Sequence, residues 1–186
     1  PTQYKVFSGN YDGGGYNISN VGFSDDSVYH RSYGLFGYTN NATISNVNVS
    51  INIKVNSVNY GVGGLIGRAN NTKITNCNAN VNIFGNSSNV GGLVGVYATD
   101  NHMSLENNTT YGNIIINSIN ATNIAGVVAL MDNMAAGGTI SVSNCESRVY
   151  INVPQSIGGI SGICSLTTGL VEIVNCNNYG YIETNN

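Results

Sequence analysis

The residues best suited to chemistry lie in a polar segment near the start of the chain. Two adjacent carboxylates, Asp25 and Asp26, precede His30 and Arg31. Paired carboxylates can transfer protons or bind calcium. Adjacent acidic residues on an exposed loop usually do neither, so we interpret this segment as a solvated loop.

A second set of ionisable residues lies in two irregular segments, residues 97–103 and 131–138. These residues are Asp100, His102 and Asp132. Extra residues in a repeated fold map to loops on one face, often the binding face. Tolerated drift in a surface loop is the simpler interpretation, because longer loops cost little. The chain has no His-Glu-x-x-His motif and no serine nucleophile elbow. We therefore expect no enzymatic activity, no metal site and no other cofactor.

Four cysteines could bind zinc or form disulfides, but no Cys-x-x-Cys pair is present. Cys77, Cys145 and Cys176 share one inward position of a repeated segment, whereas Cys164 does not. Small buried hydrophobic residues in a core column are the expected role. The alternative is a disulfide between Cys145 and Cys176, because neighbouring repeats about 4.8 Å apart would bring these two residues within bonding reach.

Three of these cysteines, Cys77, Cys145 and Cys176, belong to a ten-residue segment that recurs along the chain. Its clearest copy, residues 74–83, alternates apolar and polar residues, which is typical of a strand with one buried face. In every copy an aliphatic residue is followed two positions later by asparagine, and the period of roughly thirty residues indicates a solenoid, propeller or array. We predict that these asparagines occupy left-handed bends and stack as a hydrogen-bonded ladder. They are Asn20, Asn46, Asn76, Asn107, Asn144 and Asn175.

A second motif, Gly-Leu-x-Gly, has the same period. It occurs at residues 34–37, 64–67 and 92–95, with looser copies at 126–129 and 159–162. Glycine at both ends of a short strand suits a tight bend where backbones approach closely. Short strands separated by Asn or Gly bends predict an all-β fold, a right-handed parallel β-helix of about six turns with three short strands per turn.

The two motifs together resemble the GLUG repeat, which is named for its Gly-Leu-x-Gly core and occurs in bacterial and protist surface proteins. Residues 6–18 also resemble the lead-in to such arrays. The repeats run end to end, so we expect one domain over residues 1–186, with partial turns at 1–33 and GLUG-type repeats at 34–186. The resemblance implies a surface or adhesive module without catalytic activity.

Composition narrows the range of partners. Charged residues make up only 8% of the chain and the net charge is -3, so no basic patch is available to bind nucleic acid. The sequence contains no run of eighteen apolar residues, and we expect no membrane span. Hydrophobic residues still make up 41%, which predicts a folded chain.

The chain contains eight sequons for N-glycosylation. Chance alone gives about five or six with this content of Asn, Ser and Thr, so we predict modification from the position of each sequon and not from their number. We expect an extracellular or cell-surface protein. Asn107 and Asn108 also begin sequons, but we expect the first in the ladder and the second in the core, and neither to be modified. The predicted glycosylation sites are Asn17, Asn41, Asn48, Asn70, Asn86 and Asn120.

The ends of a β-helix expose unpaired strand edges and apolar side chains. We expect both ends here to be uncovered, and to be covered either by further repeats of a longer protein or by another copy stacked head to tail. The sequence thus predicts an extracellular structural module that assembles into a glycosylated fibre. The alternative is a glycan-binding adhesin domain that stacks sugar rings on outward tyrosines. Those are Tyr111, Tyr150, Tyr179 and Tyr181.

Overall fold

The protein folds as a right-handed parallel β-helix. The computed structural model describes residues 5–26, 31–56, 61–99, 102–133, 138–154, 157–166 and 169–184, and all regular structure in these ranges is β-strand. Strands from successive turns pair in parallel, so each side of the coil is a sheet parallel to its axis. None of the described residues forms a helix with the length and apolar character needed to cross a membrane.

Four sheets surround the core, and we number them in chain order. Sheet 1 contains β1 (Asn10–Asp12), β5 (Thr43–Ser45), β9 (Lys73–Thr75), β13 (His102–Glu106), β17 (Thr139–Ser143) and β21 (Leu170–Val174). Sheet 2 contains β2 (Asn17–Asp25), β6 (Asn48–Val55), β10 (Asn78–Gly85), β14 (Thr109–Ile116), β18 (Glu146–Asn152), β22 (Asn177–Asn178) and β23 (Ile182–Glu183).

The other two sheets complete each turn. Sheet 3 contains β3 (Ser32–Tyr33), β7 (Gly61–Gly63), β11 (Val90–Gly91), β15 (Ile124–Ala125) and β19 (Ile157–Gly158). Sheet 4 contains β4 (Phe36–Asn40), β8 (Ile66–Asn70), β12 (Val94–Thr99), β16 (Val128–Asn133) and β20 (Ser161–Leu166).

The turn count and the strands per turn differ from the sequence prediction. Five turns are complete, from β1–β4 to β17–β20, and β21 to β23 begin another, so the predicted six turns are corrected to about five. Each turn has four strands rather than three, because the segment before each Leu-x-Gly pairs with its neighbours as a separate strand of two or three residues. Strands that short show no alternation of polar and apolar residues.

The core consists of inward-facing columns of aliphatic side chains. Ile53, Ile83, Ile114 and Ile151 occupy equivalent positions on four successive turns, and each is at most 1% exposed. Full burial of such a side chain stabilises the fold by about 1.5 to 3 kcal/mol. Like residues therefore pack on like residues along the coil, as the alternating pattern predicts.

The first glycine of the Gly-Leu-x-Gly motif lies where the backbone of the next turn and the opposite sheet both approach closely. A Cβ added to Gly92 would lie 2.1 Å from the carbonyl oxygen of Gly126 and 3.1 Å from Cβ of Thr110. Thr110 belongs to an inward column of small residues in sheet 2, together with Ala79 and Ser147. Glycines on one side and small residues on the other allow the two sides of the coil to meet.

The two ends of the coil differ. At the first turn, Phe36 contacts Phe7 and Tyr11, with ring centroids 5.1 and 5.4 Å apart, and these rings cover part of the core. The first strand of sheet 2 also carries a register shift between Ile18 and Val21. At the last turn, the inward residues Ile173 and Ile182 remain 43% and 36% exposed. The expectation of two uncovered ends therefore fits the last turn better than the first.

Candidate functional site

The carboxylates near the start of the chain make structural contacts. Asp25 accepts a hydrogen bond from the hydroxyl of Tyr33 and lies 3.8 Å from the guanidinium of Arg31. The carboxylate of Asp26 accepts from the side-chain amide of Asn56, one turn along the coil. Both carboxylates therefore brace the first turns. His30, the remaining member of this group, lies outside the described residues.

The irregular segments lengthen the strands of sheets 1 and 4. Tyr97 is fully buried, and its hydroxyl donates to the carbonyl oxygen of Thr72 at 2.7 Å, so its side chain is part of the core of these turns. His102 is exposed at the start of β13 and Asp132 is half-buried in β16, whereas Asp100 lies outside the described residues. The described part of the chain contains no group of three His, Cys, Asp or Glu residues that could hold a metal ion.

The inward cysteine column includes an asparagine. Asn108 lies between Cys77 and Cys145 in the register of sheet 2, and it is fully buried. Its Oδ1 accepts the backbone N–H of Cys77 at 2.9 Å, and its Nδ2 donates to the carbonyl oxygen of Ile74 at 3.2 Å. These bonds satisfy the amide that a hydrophobic column would otherwise leave unpaired.

The thiols of this column are unbridged. Cys77, Cys145 and Cys176 are free cysteines, and the thiols of Cys145 and Cys176 donate to backbone carbonyl oxygens instead of forming the disulfide considered above. Burial raises the pKa of the Cys77 and Cys145 thiols to about 11, so both are protonated at neutral pH. Cys164 lies in another sheet, in β20.

All six predicted ladder asparagines have left-handed backbones, with φ between 51° and 62°. Side-chain amides link three of them: Nδ2 of Asn76 donates to Oδ1 of Asn46 at 3.4 Å, and Nδ2 of Asn107 donates to Oδ1 of Asn76 at 3.3 Å. Asn76 and Asn107 are exposed, so this ladder runs along the outside of the coil. Asn144 and Asn175 share its backbone conformation.

Asn20 lies outside this column. The register of β2 against β6 pairs Asn17 with Asn48 and places Asn20 within the register shift, away from the bend where Asn46 lies. Asp12 pairs in register with Ser45, and its carboxylate ends the ladder at the first turn by accepting from Nδ2 of Asn46 at 2.9 Å. This hydrogen bond lowers the pKa of Asp12, with a smaller contribution from the backbone N–H of Gly14.

Asparagines also stack in columns that the sequence analysis missed. On the outer face of sheet 2, Nδ2 of Asn78 donates to Oδ1 of Asn48 at 2.7 Å, and Nδ2 of Asn82 donates to Oδ1 of Asn52 at 3.1 Å. The signal was present in the sequence, since each pair is separated by one period. Further pairs are Asn40 with Asn70 and Asn89 with Asn123.

The predicted glycosylation sites differ in exposure. Asn17, Asn41, Asn86 and Asn120 are exposed, whereas Asn48 and Asn70 are half-buried. The amides of the last two donate to the carbonyl oxygen of Gly15 and to Oδ1 of Asn40. Of the two sequons excluded above, Asn108 is fully buried and Asn107 is an exposed member of the ladder.

The four predicted tyrosines lie together on the outer face of sheet 2. Tyr111 is paired in register with Arg148, and the guanidinium of Arg148 lies 5.6 Å from the ring centroid of Tyr179. In the adjacent column, the rings of Tyr150 and Tyr181 are parallel within 1°, with centroids 6.0 Å apart. We call these five residues the tyrosine patch.

Two neighbouring carboxylates, Glu146 and Glu183, pair with polar groups of the tyrosine patch. Arg148 Nε donates to Glu146, and this hydrogen bond is the main cause of a raised pKa for Arg148. The Tyr150 hydroxyl donates to Glu183 at 2.6 Å, which raises the pKa of Tyr150. Tyr111, Tyr179 and Tyr181 remain 40%, 65% and 67% exposed. Exposed aromatic side chains with a polar tip can pack against the apolar faces of sugar rings.

Comparison with known proteins identifies one motif. Residues 58–83 match the family model described as the GLUG motif. The match covers β7, β8, β9 and most of β10, which is one Gly-Leu-x-Gly copy with the asparagine segment that follows it. No curated protein and no solved structure matches the chain. The chain therefore carries the GLUG motif, and this motif lies within a parallel β-helix.

Proposed function

We propose that this chain is an extracellular structural module of a surface protein and that its tyrosine patch binds glycans. The GLUG motif supports a surface role, because this motif occurs in surface proteins. The stacked turns supply the scaffold, and the patch supplies exposed aromatic side chains on one face of it. The proposal includes no catalytic step, since Asp25 and Asp26, the best paired carboxylates, are engaged in hydrogen bonds within the fold.

The observation that carries the proposal is the convergence of all four tyrosines on one face. They come from three separate turns, yet register places Tyr111 and Tyr179 in one column and Tyr150 and Tyr181 in the next. Tyr179 and Tyr181 remain 65% and 67% exposed, so they contribute little to the stability of the isolated coil. Such rings provide large, rigid contact surfaces for a ligand.

A glycan array probed with the purified protein tests this proposal. We expect binding that falls at least tenfold in the Tyr179→Ala, Tyr181→Ala double variant, since aromatic anchors dominate binding energy. Tyr38→Ala is the matched control, because Tyr38 lies in β4 of sheet 4. Absence of glycan binding by the unaltered protein would refute the proposal, as would equal binding by the double variant. Turnover of a bound polysaccharide would contradict the non-catalytic role.

A head-to-tail fibre is the second candidate function. The exposed inward residues Ile173 and Ile182 favour it, because another turn stacked on the last one would bury them. The first turn opposes it, since a bulged strand pairs poorly at its free edge. Phe7, Tyr11 and Phe36 also occupy part of the surface that the incoming turn would contact.

A further inference from the structure

We propose that the ligand of the tyrosine patch is a neutral, extended, β-linked polysaccharide that lies along the axis of the coil, with one sugar ring over each turn. This inference rests on the glycan-binding function proposed above. It adds the chemical class of the ligand and the direction in which it lies. Three features of sheet 2 support it: the alignment of its outward columns, a continuous trough and the pairing of its charges.

The first feature is that both tyrosine columns continue with side-chain amides, one asparagine in the column of Tyr111 and Tyr179 and several in the column of Tyr150 and Tyr181. Strand register places Asn80 one turn before Tyr111, and Arg148 and Tyr179 follow on the next two turns. In the neighbouring column, Asn82 and Asn113 precede Tyr150 and Tyr181. A ligand seated on the tyrosines and extended along the axis therefore passes directly onto side-chain amides.

A trough joins the two regions. It has a volume of about 440 Å³ and lies over the outer face of sheet 2, from the first turn to the fourth. Tyr111 lines its end, and Asn48, Asn78 and Asn80 line its length. Because Tyr111 belongs to both the trough and the tyrosine patch, the two form one track parallel to the axis.

The spacing of this track suits a sugar chain. Successive strands in a sheet are about 4.8 Å apart, which is close to the advance of one ring in an extended β-linked polysaccharide. Amide hydrogen bonds at 2.7 Å between Asn78 and Asn48 and at 3.1 Å between Asn82 and Asn52 hold the side chains of the track in place. Each donating amide keeps a second hydrogen for a sugar hydroxyl.

The charges of the track favour a neutral ligand. Arg148 pairs with Glu146, and Glu183 accepts from Tyr150 and from the amide of Asn152. An anionic sugar would have to compete with Glu146 for the guanidinium, and it would approach two carboxylates. Hydroxyl groups require no such exchange, so uncharged sugars match the track better.

Calorimetric titration with a length series of neutral β-linked oligosaccharides tests the inference. The probes are cello-, chito- and xylo-oligosaccharides of two to six rings. We expect affinity to rise up to about four rings, the number that spans the four turns from Asn80 to Tyr179. Asn80→Ala should weaken binding of the longer probes about fivefold and leave the disaccharide unaffected, since one hydrogen bond is lost. Tyr179→Ala should weaken all lengths, and Tyr38→Ala none.

The outcomes separate this inference from the proposed function. Affinity could depend on the tyrosines but not on ligand length or on Asn80→Ala. That result would show that the ligand does not follow the axis, and the proposed function would stand. Stronger binding of β-linked oligomannuronates than of neutral probes would overturn the neutral class alone. No binding on the array and none in the titrations would overturn both.

Discussion

Single residues control the bends of this coil. Three ladder residues combine two properties: Asn46, Asn76 and Asn107. Each has a left-handed backbone, where a Cβ is normally unfavourable. Each also has a side-chain amide that forms a hydrogen bond with the equivalent asparagine of a neighbouring turn. Asparagine tolerates this conformation better than most residues. The backbone preference and the amide ladder are therefore two separate contributions, and substitution can distinguish them.

Replacing Asn76 separates the two contributions. Asn76→Gly keeps the left-handed bend and loses two exposed amide bonds, so we expect the free energy of unfolding to fall by about 1 kcal/mol. Asn76→Ala also strains the backbone, and we expect a further loss of about 1 to 2 kcal/mol. Urea unfolding measures both. Asn113→Ala, on the exposed face of β14, is the control. Equal losses in the glycine and alanine variants would refute the backbone contribution.

The buried thiols make stability depend on pH. The pKa of Cys77 and of Cys145 is raised from 9.0 to about 11 by burial, so unfolded thiols ionise before folded ones as pH rises. The contribution of the two thiols to the free energy of unfolding is therefore fully present below pH 9. It falls between pH 9 and 11, by about 1 kcal/mol per pH unit for each thiol. Urea unfolding between pH 8 and 11 should show this slope in the unaltered protein. A Cys77→Ala, Cys145→Ala variant with the same slope would contradict it.

At the scale of elements, the Gly-Leu-x-Gly corner determines how closely sheets 2 and 4 approach. In the Gly-Leu-x-Gly copies at residues 64–67 and 92–95, the leucine points into the core, and both Leu65 and Leu93 are fully buried. The glycine before each of them faces the small inward residues of sheet 2. The motif thus allows close packing across the coil, and this packing requires contacts with neighbouring turns.

Alanine at Gly92 tests this packing. The added methyl would overlap the backbone of Gly126, so we expect a loss of about 3 kcal/mol in the free energy of unfolding. Gly22→Ala is the matched control, because a Cβ there would lie 3.7 Å from its nearest neighbour, the carbonyl oxygen of Asn52. We expect a change within about 1 kcal/mol for this control. Similar losses in both variants would show that the coil does not need close contact at Gly92.

At the scale of the whole molecule, the two ends of the coil offer different surfaces to a stacked neighbour. The aromatic group at the first turn and the bulge in β2 oppose a stacked neighbour, while the last turn is open. We expect negative-stain electron microscopy of the purified chain to show short separate rods. Long fibres with an axial repeat of roughly 24 Å, five turns at about 4.8 Å, would instead favour the head-to-tail assembly. Ile173→Lys should then dissolve the fibres, because it places a charge on the open end.

Local patterns in the sequence determined much of this fold. Alternation with period two identifies half-buried strands such as β6 and β10, and a repeat of roughly thirty residues requires them to stack. The Gly-Leu-x-Gly corners, the left-handed asparagines and the inward cysteines follow from the same patterns. These features depend on a residue and its near neighbours, and the repeat multiplies the signal.

Only the tertiary structure decided how the strands align. Asn20 has the sequence context of a ladder residue, but the register shift between Ile18 and Val21 moves it away from the bend. The carboxylate of Asp12 bonds the amide of Asn46 instead. Sheet 3 and the count of about five turns are likewise absent from the local pattern, because strands of two residues exist only through their pairing partners. The same register brings Tyr111, Tyr150, Tyr179 and Tyr181 onto one face. Register is set by contacts between distant segments, so a local pattern does not encode it.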